Sequence, residues 1–263
     1  MDLLSTQRLI QRYNHKEWTE EFDDIVKEYP LTIHVNDQEF ATIVCSPEYL
    51  EEMVVGFLAS EGMLRIHEQD VKKIIIDEEK GFAYVTLTKD HVASQDFYSK
   101  RFIGSCCGKS RQSFYFQNDV KTAKTSMTKT TIKAERCLAL MKQVQQDSEV
   151  FLATGGVHNA AIATQDDIIV TRADIGRHNA LDKLFGHCLI NRVAVRDKVL
   201  LFSGRISSEV LLKAAKMGVG IMLSKSAPTD LALAMADELN MTTAGFIRGE
   251  RMNVYTHAHR IVR

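Results

Sequence analysis

Two adjacent cysteines, Cys106 and Cys107, stand in the run Phe102-Ile-Gly-Ser-Cys-Cys-Gly-Lys-Ser110, with Arg111 next. Structural cysteines usually stand singly in apolar patterns. Here Gly and Ser favour a flexible, partly exposed backbone, and the positive charge of Lys109 and Arg111 favours the thiolate, which is the nucleophile of sulfur chemistry. A disulfide within the pair is disfavoured, because neighbouring Cα atoms lie about 3.8 Å apart and a bridge usually needs roughly 4.4–6.8 Å. The pair reads as thiols or persulfides on a loop. With Cys45, Cys137 and Cys188 the total of 5 is odd and scattered, which suits free thiols in a reducing compartment better than a secreted disulfide framework.

Four further segments gather polar groups where strands are expected to end or helices to begin, the place where open α/β sheets put their sites. Ala153-Thr-Gly-Gly-Val-His158-Asn-Ala offers Gly155 and Gly156 for close backbone approach and His158 as a functional group; a tight turn with a surface histidine is the alternative. Asp174-Ile-Gly-Arg-His178-Asn179-Ala-Leu-Asp182-Lys183 opens a helix, whose free N–H groups attract anions. There Asp174 and Asn179 fit capping, whereas Arg177 and His178 together fit a phosphate or pterin contact. Ser203-Gly204-Arg205-Ile-Ser207-Ser208-Glu209 resembles a phosphate cradle, with a glycine for access and an arginine fork, yet lacks the Gly-Lys-Ser/Thr ending of a P-loop. Phe246-Ile247-Arg248-Gly249-Glu250-Arg251 sets two arginines around a glycine, to clamp a dinucleotide or to sit on a hairpin. A catalytic zinc site of the deaminase type is not expected: it needs H-x-E and P-C-x-x-C, and His158 is followed by Asn159-Ala160.

These segments need a scaffold, and the chain reads as two halves. Residues 30–88 predict a β-rich unit with one helix. Strands at 31–35 and 40–44 flank Asn36-Asp37, and a second hairpin joins 71–76 to 82–87. Between them Ser46-Pro47-Glu48 reads as an N-cap, and Leu50, Met53, Val54, Phe57 and Leu58 form one helical face ending near Gly62. Residues 89–130 lack clean periodicity and read as a linker or mobile loop; helical spacing resumes over 132–144. From 150 onward, strands at 150–154, 159–164, 167–172, 198–203, 219–224 and 242–247 alternate with helices at 177–190, 207–217 and 228–239, the second capped by Ser207 and the third opened by Ser226 to Asp230. That order predicts an α/β fold, a three-layer α/β/α sandwich with a mixed sheet, beside a smaller β-rich N-terminal domain. The expected domains are 1–130, ending in the cysteine loop and linker, and 131–263.

The 263 residues suffice to bury a large core. A net charge of −1 argues against a general nucleic-acid binder. No stretch approaches the ~20 apolar residues of a membrane span, and the N-terminus lacks a signal-peptide core, so the expected location is the cytoplasm.

Taken in order, Ser105-Cys-Cys-Gly-Lys, Ala153-Thr-Gly-Gly-Val-His-Asn-Ala, Asp174-Ile-Gly-Arg-His-Asn-Ala, Ser203-Gly-Arg-Ile-Ser-Ser-Glu and Lys225-Ser-Ala-Pro-Thr resemble the FdhD family of formate dehydrogenase accessory proteins, from about residue 30 to the C-terminus. The resemblance implies a sulfurtransferase and sulfur carrier. Such a protein takes persulfide sulfur from a cysteine desulfurase and passes it to Mo-bis-molybdopterin guanine dinucleotide, the molybdenum cofactor form that formate dehydrogenase needs. It further implies a homodimer with a cytidine deaminase-like fold and no zinc. Many members carry C-x-x-C before Gly-Lys, whereas this chain has Gly104 at the first of those positions. Cys107 then inherits the persulfide role, with Cys106 second. The guanine-nucleotide site carries over to Phe246, Ile247, Arg248, Gly249, Glu250 and Arg251, joined by Gly155, His158, Arg177, His178, Ser203, Gly204 and Arg205. One alternative is a cofactor-binding chaperone for formate dehydrogenase that transfers no sulfur; another, a zinc-free deaminase relative acting on a nucleotide, is disfavoured by the missing H-x-E.

Overall fold

Apolar residues with period two build the central sheet. In strand β11 (Val199–Phe202), Val199 and Leu201 point into one apolar core while Leu200 and Phe202 point into another, so the strand is buried on both faces, as parallel sheets require. The structure, a computed structural model, describes residues 4–64, 66–88, 101–103, 123 and 125–263. Its six-stranded sheet has the order β10-β9-β11-β12-β13-β14, the other strands being β9 (His158–Ala163), β10 (Ile168–Asp174), β12 (Ile221–Ser224), β13 (Thr242–Arg248) and β14 (Arg251–Thr256). Strands β11, β12 and β13 are parallel, and β9, β10 and β14 run antiparallel to their neighbours. This mixed sheet is the middle layer of the expected three.

One outer layer is α3 (Ala134–Gln146), with α4 (Glu149–Thr154) at its end. Cys137, Leu140, Met141 and Val144 form its buried stripe at helical spacing. The other layer is α5 (Arg177–Ile190), α6 (Ser208–Met217) and α7 (Asp230–Glu238). Ser207 and Thr229 cap α6 and α7 by accepting from Val210 and Ala232 N–H groups.

The N-terminal half adds a five-stranded sheet, β5-β6-β3-β4-β7, from β3 (Tyr29–Val35), β4 (Gln38–Cys45), β5 (Val71–Asp77), β6 (Phe82–Leu87) and β7 (Arg101–Ile103). Its helix α1 (Leu50–Ser60) packs on α5, and Gly62, at φ 82°, closes it; a single turn, α2 (His67–Asp70), then leads into β5. One apolar core runs from Leu31 and Ile33 through Met53 and Leu58 to Leu181, Leu184 and Leu211. The two helices meet at glycines: a Cβ on Gly56 would collide with the Asp182 carbonyl oxygen, and one on Gly186 with that of Glu52.

Three parts of the chain depart from their sequence patterns. The strand expected over 150–154 is the short helix α4; Val150, Phe151 and Leu152 read as β-forming, but Leu152 is exposed and Gly155 closes a helical turn at φ 63°. Ser46 does not cap α1, which begins at Leu50 after a left-handed Tyr49, because Ser46 is engaged by the second half of the chain. Residues before 30 form a long antiparallel ribbon, β1 (Ser5–Asn14) with β2 (Glu17–Val26), whose Leu9, Tyr13, Trp18 and Phe22 are exposed, so no buried alternation marked it. A two-residue pair, β8 (Ile132–Lys133) with β15 (Ile261–Val262), completes the strands described.

Candidate functional site

Parallel strands β11, β12 and β13 all end on one edge of the central sheet, where the loop after β11 brings Ser203, Gly204 and Arg205 and the starts of β9 and α5 bring His158 and Arg177. The edge is built by backbone exchange. Ser203 N–H donates to the Asn159 carbonyl and Asn159 N–H to Ser203 Oγ, each at 2.9 Å. This pins the start of β9 to the end of β11 and sets His158 Nδ1 3.4 Å from Ser203 Oγ. Asn159 is buried and its Oδ1 accepts from Ser148 Oγ, tying the edge to α4.

Arg177 joins from the start of α5. Its Cβ, after the Phe202 ring, is a neighbour that a side chain on Gly204 would meet; Gly204 is buried and Arg205 beside it is exposed. Burial, and then the charge of Arg177, push the His158 pKa below the usual histidine value, against a smaller opposing pull from Asp174. His158 is therefore a neutral hydrogen-bonding group near pH 7 rather than a cation. His178 faces Glu209 across a 3.5 Å gap.

The hairpin of β13 and β14 sits beside the same edge. Phe246, with φ 53°, donates its N–H to the Ser226 carbonyl, and Arg248 Nε donates to the Lys225 carbonyl at 3.2 Å. Ile247 is buried in the core between α3 and the sheet, whereas Arg248, Gly249, Glu250 and Arg251 are exposed, with Gly249 at φ 57° in the turn. Lys225 links the hairpin to a cavity of about 280 Å³ lined by Gln145, Phe151, Gly155, His158, Ser203 and Lys225 itself. Gly155 lines it without a free N–H, since that group closes α4 onto the Phe151 carbonyl.

Among the described residues, Arg177, Arg205, Lys225, Arg248 and Arg251 form no ion pair. Exposed arginines without carboxylates are ordinary. Half-buried Arg177 and Lys225 are not, because partial desolvation leaves a charge that an anion would stabilise. The edge is thus chemically suited to a phosphorylated, polyanionic ligand.

Asp174, Asn179 and Lys183 do other work. Lys183 and Asp174 are fully buried and paired at 2.7 Å. Asp174 also accepts from the N–H groups of Ser46 and Gly176 and from Asn179 Nδ2. Lys183 Nζ donates to the Ser46 carbonyl, and Ser46 Oγ accepts from Ile175 N–H. This cluster fastens the β4–α1 junction to the start of α5. Sequence spacing pointed to Lys225 only as part of a motif, and Gln145 and Phe151 carried no signal, because their place beside Lys225 exists only in three dimensions.

The cysteines divide cleanly. Cys45, Cys137 and Cys188 are buried, and burial pushes each thiol up to about 12, so all three are protonated and inert at neutral pH. Cys106 and Cys107, with Lys109 and Arg111, lie outside the described residues. Strand β7 ends three residues before Cys106. It runs parallel to β4, with Ile103 beside Ile43, and β4 in turn leads into Ser46 and the Asp174 cluster; Asp174 is registered opposite His158. The described residues hold no group of three metal-ligating side chains, and no described helix is long and apolar enough to cross a membrane.

The sulfur carrier protein FdhD of Halalkalibacterium halodurans is 68% identical over 240 residues, which cover 91% of this chain and 89% of that one. The sulfur carrier protein FdhD of Bacillus subtilis is 56% identical over 260 residues, 99% and 98% of the two chains. A crystal structure from Desulfotalea psychrophila, described as that of a formate dehydrogenase accessory protein, superposes with a TM-score of 0.80 at 23% identity over 98% of this chain and all of that one, and so shares the fold. The model of the FdhD/NarQ family matches residues 26–262, and the chain belongs to that family.

Proposed function

We propose that this protein is a sulfur carrier in formate dehydrogenase maturation, working as a sulfurtransferase through a persulfide on Cys107. The observation that carries the reading is the division among the thiols. Three of the 5 cysteines are buried with pKa values of about 12, which leaves Cys106 and Cys107 to do any sulfur chemistry. Both named relatives are called sulfur carrier proteins.

In the loading step the Cys107 thiolate attacks the outer sulfur of a persulfide on a cysteine desulfurase. A new S–S bond forms to Cys107 as the donor S–S bond breaks, and the donor leaves as its thiolate, with no net redox change. Lys109 and Arg111 favour the attacking thiolate and the anionic persulfide. The outer sulfur is then delivered as sulfide to Mo-bis-molybdopterin guanine dinucleotide, bound as substrate at the cationic edge. The S–S bond on Cys107 breaks, Cys107 leaves as its thiolate, and the two electrons come from the reduced metal of the cargo or from a low-molecular-weight thiol. Arg177, Arg205, Arg248 and Arg251 match its phosphates there, and His158, His178, Ser203 and Gly204 shape the surface. The backbone supports this arrangement: β7 delivers the chain toward the β4–α1 junction, one cluster away from His158. The protein works as a cytoplasmic homodimer that meets the desulfurase and formate dehydrogenase in turn.

Mass spectrometry after incubation with a cysteine desulfurase and cysteine tests the loading step. The peptide holding Cys106 and Cys107 gains one sulfur, about 32 Da, reversible by a thiol reductant, and Cys107→Ala abolishes the gain. Sulfur found on Cys45, Cys137 or Cys188 instead would contradict the assignment.

A further inference from the structure

The ribbon of β1 and β2 stands apart from both sheets of the body. Its strands pair with each other along their whole length and with no third strand among those described, and at its base Val26 packs against Gly156. Residues opposite one another in an antiparallel pair share a face. The register therefore sets Leu9 beside Phe22 and Tyr13 beside Trp18 on one side of the ribbon, while Arg12 pairs with Glu21 and Asp23 on the other. Leu9, Tyr13, Trp18 and Phe22 are 55%, 59%, 68% and 68% exposed. Four large apolar side chains gathered on one open face mark an interaction surface, and a bare two-stranded ribbon is only marginally stable in water.

Charge selects the occupant. From Glu17 to Asp24, β2 carries 5 carboxylates and no cation. Arg12 answers two of them, Gln11 holds Glu20 at 2.8 Å without cancelling its charge, and Glu17 and Asp24 form no ion pair among the described residues. On the apolar face the strand reads Trp18, Glu20, Phe22, Asp24, ring and carboxylate in turn. Carboxylates alone would only keep an open edge from pairing; exposed rings between them do the reverse. Such a row suits an incoming strand with lysines or arginines opposite Glu20 and Asp24, their stems and cationic heads against the rings. A second copy does not suit it. Two-fold pairing of β2 with β2 sets carboxylate against carboxylate, β1 of one copy on β2 of the next is head-to-tail and does not close, and β1 with β1 leaves the acidic edge uncovered. The same sign of charge continues at the ribbon's base, where a cavity of about 380 Å³ is lined by Leu4, Ser5, Glu48, Asp147 and Glu149 among others. Those three carboxylates form no ion pair among the described residues.

We propose that the β2 edge of this ribbon docks an extended, basic segment of a partner protein, which adds as a third strand with cationic side chains against Glu20 and Asp24 and covers Trp18 and Phe22. Backbone hydrogen bonds to the open edge give affinity and the alternating side chains give specificity, as in other strand-addition complexes. The site is separate from the cationic edge of the central sheet, and the inference does not depend on the sulfur-carrier reading.

Trp18 is the only tryptophan of the chain, so its fluorescence reads this ribbon alone. The test titrates the full chain, at one fixed salt concentration, with a capped peptide of alternating arginine and valine and, as control, one of alternating glutamate and valine. The arginine peptide shifts Trp18 emission to shorter wavelength and saturates; the glutamate peptide leaves it unchanged. Reversing Glu20 and Asp24 together to lysine weakens the arginine peptide about tenfold, the scale of turning two attractive cross-strand pairs repulsive. The same reversal at Glu79 and Glu238, exposed residues outside the ribbon, leaves its affinity unchanged. An emission that responds to neither peptide, or to both alike, overturns the proposal, as does undiminished binding after the reversal at Glu20 and Asp24. A dimer in sedimentation that Phe22→Ser dissociates would give the face to a second copy and overturn it equally.

Discussion

At the crossing of α1 and α5 the buried cations Lys183 and Lys213 and the half-buried Arg172 are matched. Lys183 pairs with Asp174; Lys213 pairs with Asp182, which also accepts from Ser60 Oγ; Arg172 pairs with Glu52, which His187 also contacts, while the Arg172 guanidinium lies 3.9 Å over the Tyr49 ring. Each cluster joins residues from the first half of the chain to residues from the second. At the ends of β11, β12 and β13 the reverse holds: Arg177 and Lys225 are half-buried without carboxylates. The contrast separates two uses of charge in one molecule. A buried pair fixes which surfaces meet, because removing one partner strands the other charge in a dry core. An unmatched, partly buried charge adds little to folding and, on the proposed reading, stays available to an anionic ligand.

The largest effect is expected where a pair is broken. Asp174→Ala strands Lys183 and frees Ser46, Gly176 and Asn179 donors. It should cost about 3–5 kcal/mol, seen as a large fall in the urea midpoint. Next comes the helix crossing: Gly186→Ala forces a methyl group onto the Glu52 carbonyl and should cost about 1–3 kcal/mol as an overpacked contact. At the strand ends the outcome should invert. Arg205→Ala and Arg248→Ala, both exposed, should stay within about 0.5 kcal/mol of wild-type stability while weakening GDP binding and flattening its salt dependence. If these variants unfold the protein, or if Asp174→Ala leaves it stable, the division of roles is wrong.

The smallest effects are those of pH. Burial acts to raise the Glu52 pKa, but hydrogen bonds and charge from Arg172 and His187 outweigh it and hold the carboxyl below its usual range. A depressed carboxyl contributes stability above its unfolded pKa and loses it as pH falls through the folded value. Acidification below about pH 4.3, the ordinary glutamate range, should therefore lower the urea midpoint, and less so in Glu52→Gln. For His158 the lowered pKa has the opposite consequence for binding. The difference in GDP affinity between the wild type and His158→Asn, in which the ligand's own phosphate titration near pH 6 cancels, should show no step at about pH 6.5, the ordinary histidine value, and should grow only at lower pH, when the ring takes a proton beside the bound anion.

Sequence made the local elements legible wherever burial imposed a period. Helix α5 spans residues 177–190 as its apolar spacing predicts, and the hairpins of β3–β4 and β5–β6 fall where their turns indicate. It failed where the partner lies far along the chain. Ser46-Pro47 looks like a cap, but Asp174, 128 residues away, takes Ser46. Val150-Phe151-Leu152 has the composition of a strand, and only the fold turns it into α4. At the candidate site, Arg177, His158, Ser203 and Arg205 were visible because glycines and polar groups cluster at element ends. Their common edge was not visible, since it depends on the register that sets Ser203 opposite Asn159. Lys225 becomes conspicuous only when Lys183 and Lys213 are seen with their aspartates.

The persulfide role of Cys107 is tested most directly by formate dehydrogenase activity in cells that lack their own carrier and are supplied with this chain carrying Cys107→Ala or Cys106→Ala. Cys107→Ala should give no activity, while Cys106→Ala should restore most of it. Full activity with Cys107→Ala would contradict the persulfide role and leave a cofactor-binding chaperone as the better description.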